Sequence, residues 1–221
     1  MLSHYFIPVA DYPTGVNNTI YFDTLELSDY DEGLSGARYR KKVRLRRYQS
    51  SGISDGPCVF EIKQKHGQLV SKEKVRLALA QKRTPPTIQY FSESFPDIRE
   101  LLVTHDIAPA MYYPKIEIQY SRARYIDPQS ATRLNLDLRI KSTRCWLGNG
   151  QPLSFARAID SVLVEIKGPN NPSLPNALVG LGAKRLSLSK YCFLLSCFIE
   201  ATNLYPTLDQ TSDSARLTGW R

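Results

Sequence analysis

Charged and apolar residues alternate with period two along several segments, the spacing of β-strands that show a different chemistry on each face. In Tyr39–Tyr48, Arg40, Lys42, Arg44 and Arg46 fall on one face, while Val43 and Leu45 fall on the other with Tyr39, Lys41 and Arg47. From Cys58 to Lys65, Cys58, Phe60, Ile62 and Gln64 oppose Val59, Glu61, Lys63 and Lys65. Lys115–Ile126 places Tyr120, Arg122 and Arg124 together, and Ala131–Ile140 sets Arg133, Asn135, Asp137 and Arg139 against Leu134, Leu136, Leu138 and Ile140. In Asp160–Lys167, Leu163, Glu165 and Lys167 oppose Val162, Val164 and Ile166. Thr19–Thr24 reads as a strand from its β-branched and aromatic content, and Ser3–Val9 and Thr143–Leu147 read as short ones.

Between these strands, the spacing of Val75, Ala78 and Leu79 predicts a helix over Ser71–Lys82, stopped by Pro85-Pro86. Pro96–His105 reads as another, with Ile98, Leu101 and Leu102 on one side, and Leu174–Leu181 and Ser189–Asn203 as two more. The acidic stretch Leu25–Gly36 ends in turn residues and reads as a connection. Apolar helix faces need apolar strand surface to cover. Helices packed outside the sheet would therefore turn the charged strand faces inward. The expected fold is α+β: a closed antiparallel barrel with a lumen lined by Arg, Lys and Glu. The competing expectation is a solvated sandwich or charged edge strands that resist aggregation. The 221 residues fit one domain over 1–205, with a polar tail over 206–221.

A formal net charge of +8 points to a polyanionic partner. Inward-facing cations repel one another unless paired or given an anion. Glu61 and Glu165 recur on those faces, and carboxylates weaken the hold on a phosphodiester backbone but suit a metal-bound triphosphate. No nucleic-acid partner is therefore expected. The cysteines Cys58, Cys145, Cys192 and Cys197 lack the paired spacing of a zinc site or disulfide framework. No apolar run reaches the roughly 18 residues of a membrane span, and a cytoplasmic setting is expected.

Five motifs then carry a family resemblance: Thr19-Ile20-Tyr21-Phe22-Asp23-Thr24, Lys42-Val43-Arg44-Leu45-Arg46-Arg47-Tyr48, Phe60-Glu61-Ile62-Lys63, Val162-Leu163-Val164-Glu165-Ile166-Lys167 and Leu188-Ser189-Lys190-Tyr191. In this order they resemble the VTC domain, the polyphosphate polymerase branch of the triphosphate tunnel metalloenzymes. The resemblance implies an eight-stranded antiparallel tunnel, Mn²⁺ or Mg²⁺ as cofactor, and ATP or another nucleoside triphosphate with inorganic polyphosphate as partners. It leaves a membrane-protein partner open. Carried over by motif, Arg44 and Arg46 match an R-x-R strand, Lys63 an E-x-K strand, and Lys72 (with Lys74 as competitor) the basic residue of the next segment. Arg122 and Arg133 match arginines of the two long strands, Glu165 the metal-binding carboxylate, Lys167 its neighbour, and Ser189-Lys190 the pair on the last helix. At the start the chain departs from the pattern, with His4 where a tunnel cation is expected.

On this reading Arg44, Arg46, Arg122 and Arg133 clamp phosphates, and Lys63, Lys72 and Lys190 neutralise charge on the transferred group. Glu165 holds the metal, with Lys167 beside it, and Glu61 either assists or forms a salt bridge. Asp137 and Arg139 are expected to pair at the rim, and Arg40 and Lys42 to sit at the mouth. The histidines His4, His66 and His105 are scattered and carry no role. Three functions follow: a polyphosphate polymerase, a tunnel hydrolase of inorganic or nucleoside triphosphates, and a noncatalytic polyphosphate sensor.

Overall fold

The structure, a computed structural model, describes residues 6–49, 56–77, 87–148, 150–168, 180 and 182–202. The strands are β1 (Ile7–Pro8), β2 (Thr14–Asp23), β3 (Tyr39–Gln49), β4 (Cys58–His66), β5 (Leu69–Leu77), β6 (Tyr113–Ile126), β7 (Arg133–Trp146), β8 (Pro152–Leu153), β9 (Ala158–Ile159) and β10 (Leu163–Lys167). The helices are α1 (Ser28–Ser35), α2 (Ile88–Ser94), α3 (Pro96–Thr104) and α4 (Lys190–Thr202), with a 3₁₀ turn at Pro109–Met111. All strands belong to one antiparallel sheet in the order β10-β7-β6-β2-β3-β4-β5, with β1 on β6 and β8 and β9 on β7.

This sheet is open, which corrects the expected closed barrel. Among the described residues β5 pairs only with β4, and the opposite edge is the short β10. Both edges are poor templates for closure. On β5, Leu69–Lys74 are all exposed and include Lys72, Glu73 and Lys74, and charge along an edge discourages pairing. On the other side one long closing strand is replaced by β8, β9 and β10 spaced along β7, and Gly168-Pro169 follows β10.

The predicted helix over Ser71–Lys82 is corrected for Ser71–Leu77, which belong to β5, in register from Cys58↔Leu77 to His66↔Leu69; residues 78–82 lie outside the described residues. Val75 packs on the apolar layer and Leu77 is buried, whereas Lys72, Lys74 and Arg76 lie on the other face, so period two prevails. Leu25–Gly36, read as a connection, contains α1. Ala131–Ile140 and Thr143–Leu147 merge into β7. The predicted Leu174–Leu181 helix and the 206–221 tail lie outside the described residues, apart from Gly180.

Two apolar layers enclose the sheet. On one face Phe22, Val43, Leu45, Phe60 and Ile62 pack against Ile88 and Phe91 of α2 and Ile98 and Leu102 of α3. Each such side chain contributes about 1.5–3 kcal/mol on burial. Thr87 accepts a hydrogen bond from the Tyr90 N–H to cap α2, and Pro96 opens α3, where its missing N–H costs nothing. The other face is the charged one, and where helices are expected outside the sheet, α4 packs on this face instead. Tyr191, Leu194, Leu195 and Phe198 of α4 pack on Tyr21, Ile116, Ile118 and Ile140. Tyr21 is directly opposite Arg44, so α4 fills the same face that carries the cations. None of the helices among the described residues is long and apolar enough to cross a membrane.

Candidate functional site

Glu61 stands at the centre of the first charge cluster. On β4 it faces Arg44 of β3 and Lys74 of β5. Arg44 Nε donates to its carboxylate at 2.7 Å, Lys72 Nζ lies at 2.7 Å and Arg46 Nη1 at 3.7 Å. Lys72, not its competitor Lys74, makes the contact. Burial alone would raise the Glu61 pKa, but Arg44, Arg46 and Lys72 outweigh it and hold it at about 2. Glu61 is therefore a buried counter-ion, and its oxygens are committed to cations. Arg46 Nε also donates to Thr19 Oγ1 at 3.3 Å.

The second cluster joins β6, β7, β10 and α4. Arg122 grips Asp137 through Nε at 2.6 Å and Nη2 at 2.8 Å, a fork that fixes both groups. Lys190, the first residue of α4, reaches the same carboxylate at 2.8 Å. Asp137 is buried; burial pushes its pKa up, but Arg122 and Lys190 hold it below the usual value. The expected Asp137–Arg139 pair does not form. A register shift between Gln119 and Ser121 puts Arg139 at φ 52°, breaking the alternation that placed it beside Asp137. Asp137 lies outside the expected site residues, although it shares a sequence-predicted face with Arg133 and Asn135.

Glu165 differs from both buried carboxylates. Its side chain is 44% exposed, with Lys167 Nζ at 3.1 Å, Arg122 Nη2 at 3.4 Å and the Asn135 amide donating at 3.2 Å. Burial raises its pKa, but Lys167 and Arg122 bring it below the ordinary value. Across the face, Lys63 of β4 is held below the usual lysine range by burial and by Arg44 and Lys42, and it feels both Glu165 and Lys167 of β10. Lys63, one strand in from the β5 edge, thus feels the charges carried by the opposite edge strand β10. Arg133 is exposed at the start of β7 and faces Lys167 in register, at the margin of the cluster.

Lys42, expected at the mouth, donates through Nζ to Ser189 Oγ at 2.7 Å, and that hydroxyl also accepts from the Cys192 N–H to cap α4. Tyr21 is a further group that alternation with Thr19 could have indicated. Burial would raise its pKa, but Arg44, Arg46 and Lys42 lower it to about 8. Its ring stacks on Tyr191 at 4.9 Å.

The Tyr21-Phe22-Asp23-Thr24 motif splits its work by face. Tyr21 joins the charged side and Phe22 the outer core. Asp23 accepts from the N–H groups of Thr24, Asp29 and Tyr30 and from Tyr191 Oη at 2.6 Å, tying the start of α1 to α4. Nearby Asp29 is 1% exposed, with Tyr112 Oη donating at 3.2 Å and Lys41 Nζ at 3.9 Å. Burial, then the charge of Asp23, pushes its pKa up from 3.8 to about 8. A raised folded-state pKa gives a contribution that is complete below the unfolded value and is lost as pH rises through the folded one. Asp29→Asn is accordingly expected to flatten the fall in thermal stability between pH 4 and 8 and to melt higher than the parent at pH 8. Parallel melting-temperature profiles would remove this assignment.

A hard divalent cation needs oxygen ligands, which one carboxylate and substrate phosphates can provide. Among the described residues no group of three His, Cys, Asp or Glu side chains is gathered. Glu61 and Asp137 are enclosed by cations. Glu165 also contacts Lys167 and Arg122, but it is half-exposed on the same face and has the access to serve as a single protein ligand to a metal carried with phosphate.

An antiparallel sheet whose cationic face is partly filled by α4 defines the architecture. The VTC domain family model matches residues 12–199, and the chain belongs to that family. No curated protein matches it. Its fold is similar to a candidate adenylate cyclase from Bacillus halodurans (15% identity, 82% of each chain covered, TM-score 0.49). It is also similar to the PH1819 protein of Pyrococcus horikoshii OT3 (13% identity, 83% of this chain and 85% of that one, TM-score 0.43).

Proposed function

We propose that this protein is a metal-dependent phosphotransferase that moves the γ-phosphoryl group of ATP, or of another nucleoside triphosphate, onto a growing inorganic polyphosphate chain. The observation that carries the reading is the excess of cations on the charged face of the sheet. Arg44, Arg46 and Lys72 share Glu61, while Arg122 and Lys190 share Asp137. Lys63 adds charge without making an ion pair among the described residues. Membership of the VTC domain family supports the same reading.

Phosphoryl transfer asks little covalent chemistry of a protein, so placement and charge stabilisation are sufficient roles. Arg44, Arg46 and Arg122 are already oriented by carboxylates and would hold phosphate oxygens, with Arg133 and Lys167 extending the hold at the margin. Lys63, Lys72 and Lys190 would offset negative charge as it builds on the transferred group. Glu165 would hold Mn²⁺ or Mg²⁺, which supplies Lewis-acid charge neutralisation on phosphate oxygens.

Purified protein incubated with ATP and Mn²⁺ is expected to accumulate long-chain polyphosphate, measured separately from free phosphate. Free phosphate without polymer would replace this reading with a triphosphatase. Neither product would replace it with a polyanion-binding module.

A further inference from the structure

Asn17 is a buried polar residue that the phosphate-binding motifs do not include. It is 1% exposed, and its Nδ2 has no hydrogen-bond partner. A buried amide donor left unpaired costs stability, so such a group calls for a ligand or an ordered water. Its position narrows the choice. Asn17, Thr19 and Tyr21 share one face of β2, the face that also carries Arg44 and Arg46.

Directly opposite Asn17 are Tyr48 on β3 and Tyr120 on β6. Each of these rings carries a guanidinium: Arg46 Cζ lies 5.9 Å from the Tyr48 centroid and Arg122 Cζ 5.4 Å from that of Tyr120. Lys190 Nζ lies 5.1 Å from the Tyr120 centroid as well. The free amide therefore sits between two tyrosines that hold cations from both charge clusters. A neutral donor among cations adds a directed hydrogen bond to an anion without adding charge repulsion.

We propose that Asn17 is an additional anion-binding residue, its amide N–H donating to an oxygen of a phosphate chain that spans Arg46 and Arg122. This rests on the reading above that the face takes such a chain, and it adds a contact linking the Glu61 and Asp137 clusters. The alternative occupant is a structural water.

The test uses inorganic tripolyphosphate, titrated calorimetrically without metal into the parent protein and the variants Asn17→Leu, Asn17→Asp and Arg44→Ala. Losing a directed donor to an anion is expected to weaken binding about tenfold in Asn17→Leu. Asn17→Asp, which puts a carboxylate there, should weaken it more. Without ligand, Asn17→Leu should melt at or above the parent temperature, because it removes an unpaired buried donor. If the parent binds and Arg44→Ala loses affinity while Asn17→Leu does not, Asn17 serves only a water and the proposal falls alone. If affinity falls only in step with a lowered melting temperature in both Asn17 variants, the role is structural and the proposal is again overturned. A parent protein that takes up no tripolyphosphate overturns the functional reading and this inference together.

Discussion

Glu61→Gln is expected to destabilise the fold by about 3–5 kcal/mol, the range for breaking a buried ion pair from one side. The variant keeps shape and volume but removes the charge. Arg44 and Arg46, whose side chains are only 12% and 10% exposed, then face each other without a counter-ion. Lys72, at 41% exposure, can turn back to water and adds little to the loss. The acid limb provides a second readout. A depressed folded-state pKa gives stability that is complete above the unfolded value, 4.5, and is lost as pH falls towards about 2. The parent should therefore lose stability through that window, and the Gln variant should lack this part of the decline. Denaturant midpoints with and without tripolyphosphate would show whether an added anion replaces the missing charge: ligand stabilisation should be larger in the variant than in the parent. Equal midpoints for the two proteins without ligand would show that Glu61 is not the counter-ion of these arginines.

The same residues mark how much of the molecule could be read from its sequence. On β3 and β4 alternation was sufficient: Val43, Leu45, Phe60 and Ile62 enter the core under α2 and α3, while Arg44, Arg46 and Glu61 meet on the opposite face. It failed over Ser71–Leu77, where the spacing of Val75 with Ala78 and Leu79 suggested a helix but the described residues belong to β5. The deciding information there is pairing with β4, a contact that local spacing does not encode. Closure of the sheet was likewise illegible, because it depends on what borders β5 and β10 and not on either pattern alone. Asp137 was assigned to Arg139 because period two was carried through a bulge. Once the register shifts, Arg122 and Lys190 become its partners. The Ser189-Lys190 pair was placed on a closing helix, but its depth came only with the fold, through the stacking of Tyr191 on Tyr21.

Glu165→Gln is expected to reduce turnover a hundredfold or more, on the order of what the loss of one group stabilising transition-state charge costs, while tripolyphosphate affinity without metal stays within a few fold. The asymmetry follows from position. Glu61 and Asp137 are buried and neutralised by cations, so altering either disturbs the arginines proposed to hold phosphate. Glu165 is half-exposed, and its main neighbours Arg122 and Lys167 retain other support, Asp137 for the first and solvent for the second. Gln can preserve the contact with Asn135 through its amide oxygen but is a poor ligand for a hard cation. Turnover should also lose its dependence on Mn²⁺ concentration, which separates a metal role from simple loss of charge near Lys167. If Glu165→Gln turns over like the parent with the same Mn²⁺ dependence, the metal is held elsewhere. If it instead loses metal-free tripolyphosphate binding in parallel with turnover, the carboxylate orients Arg122 and is not a metal ligand.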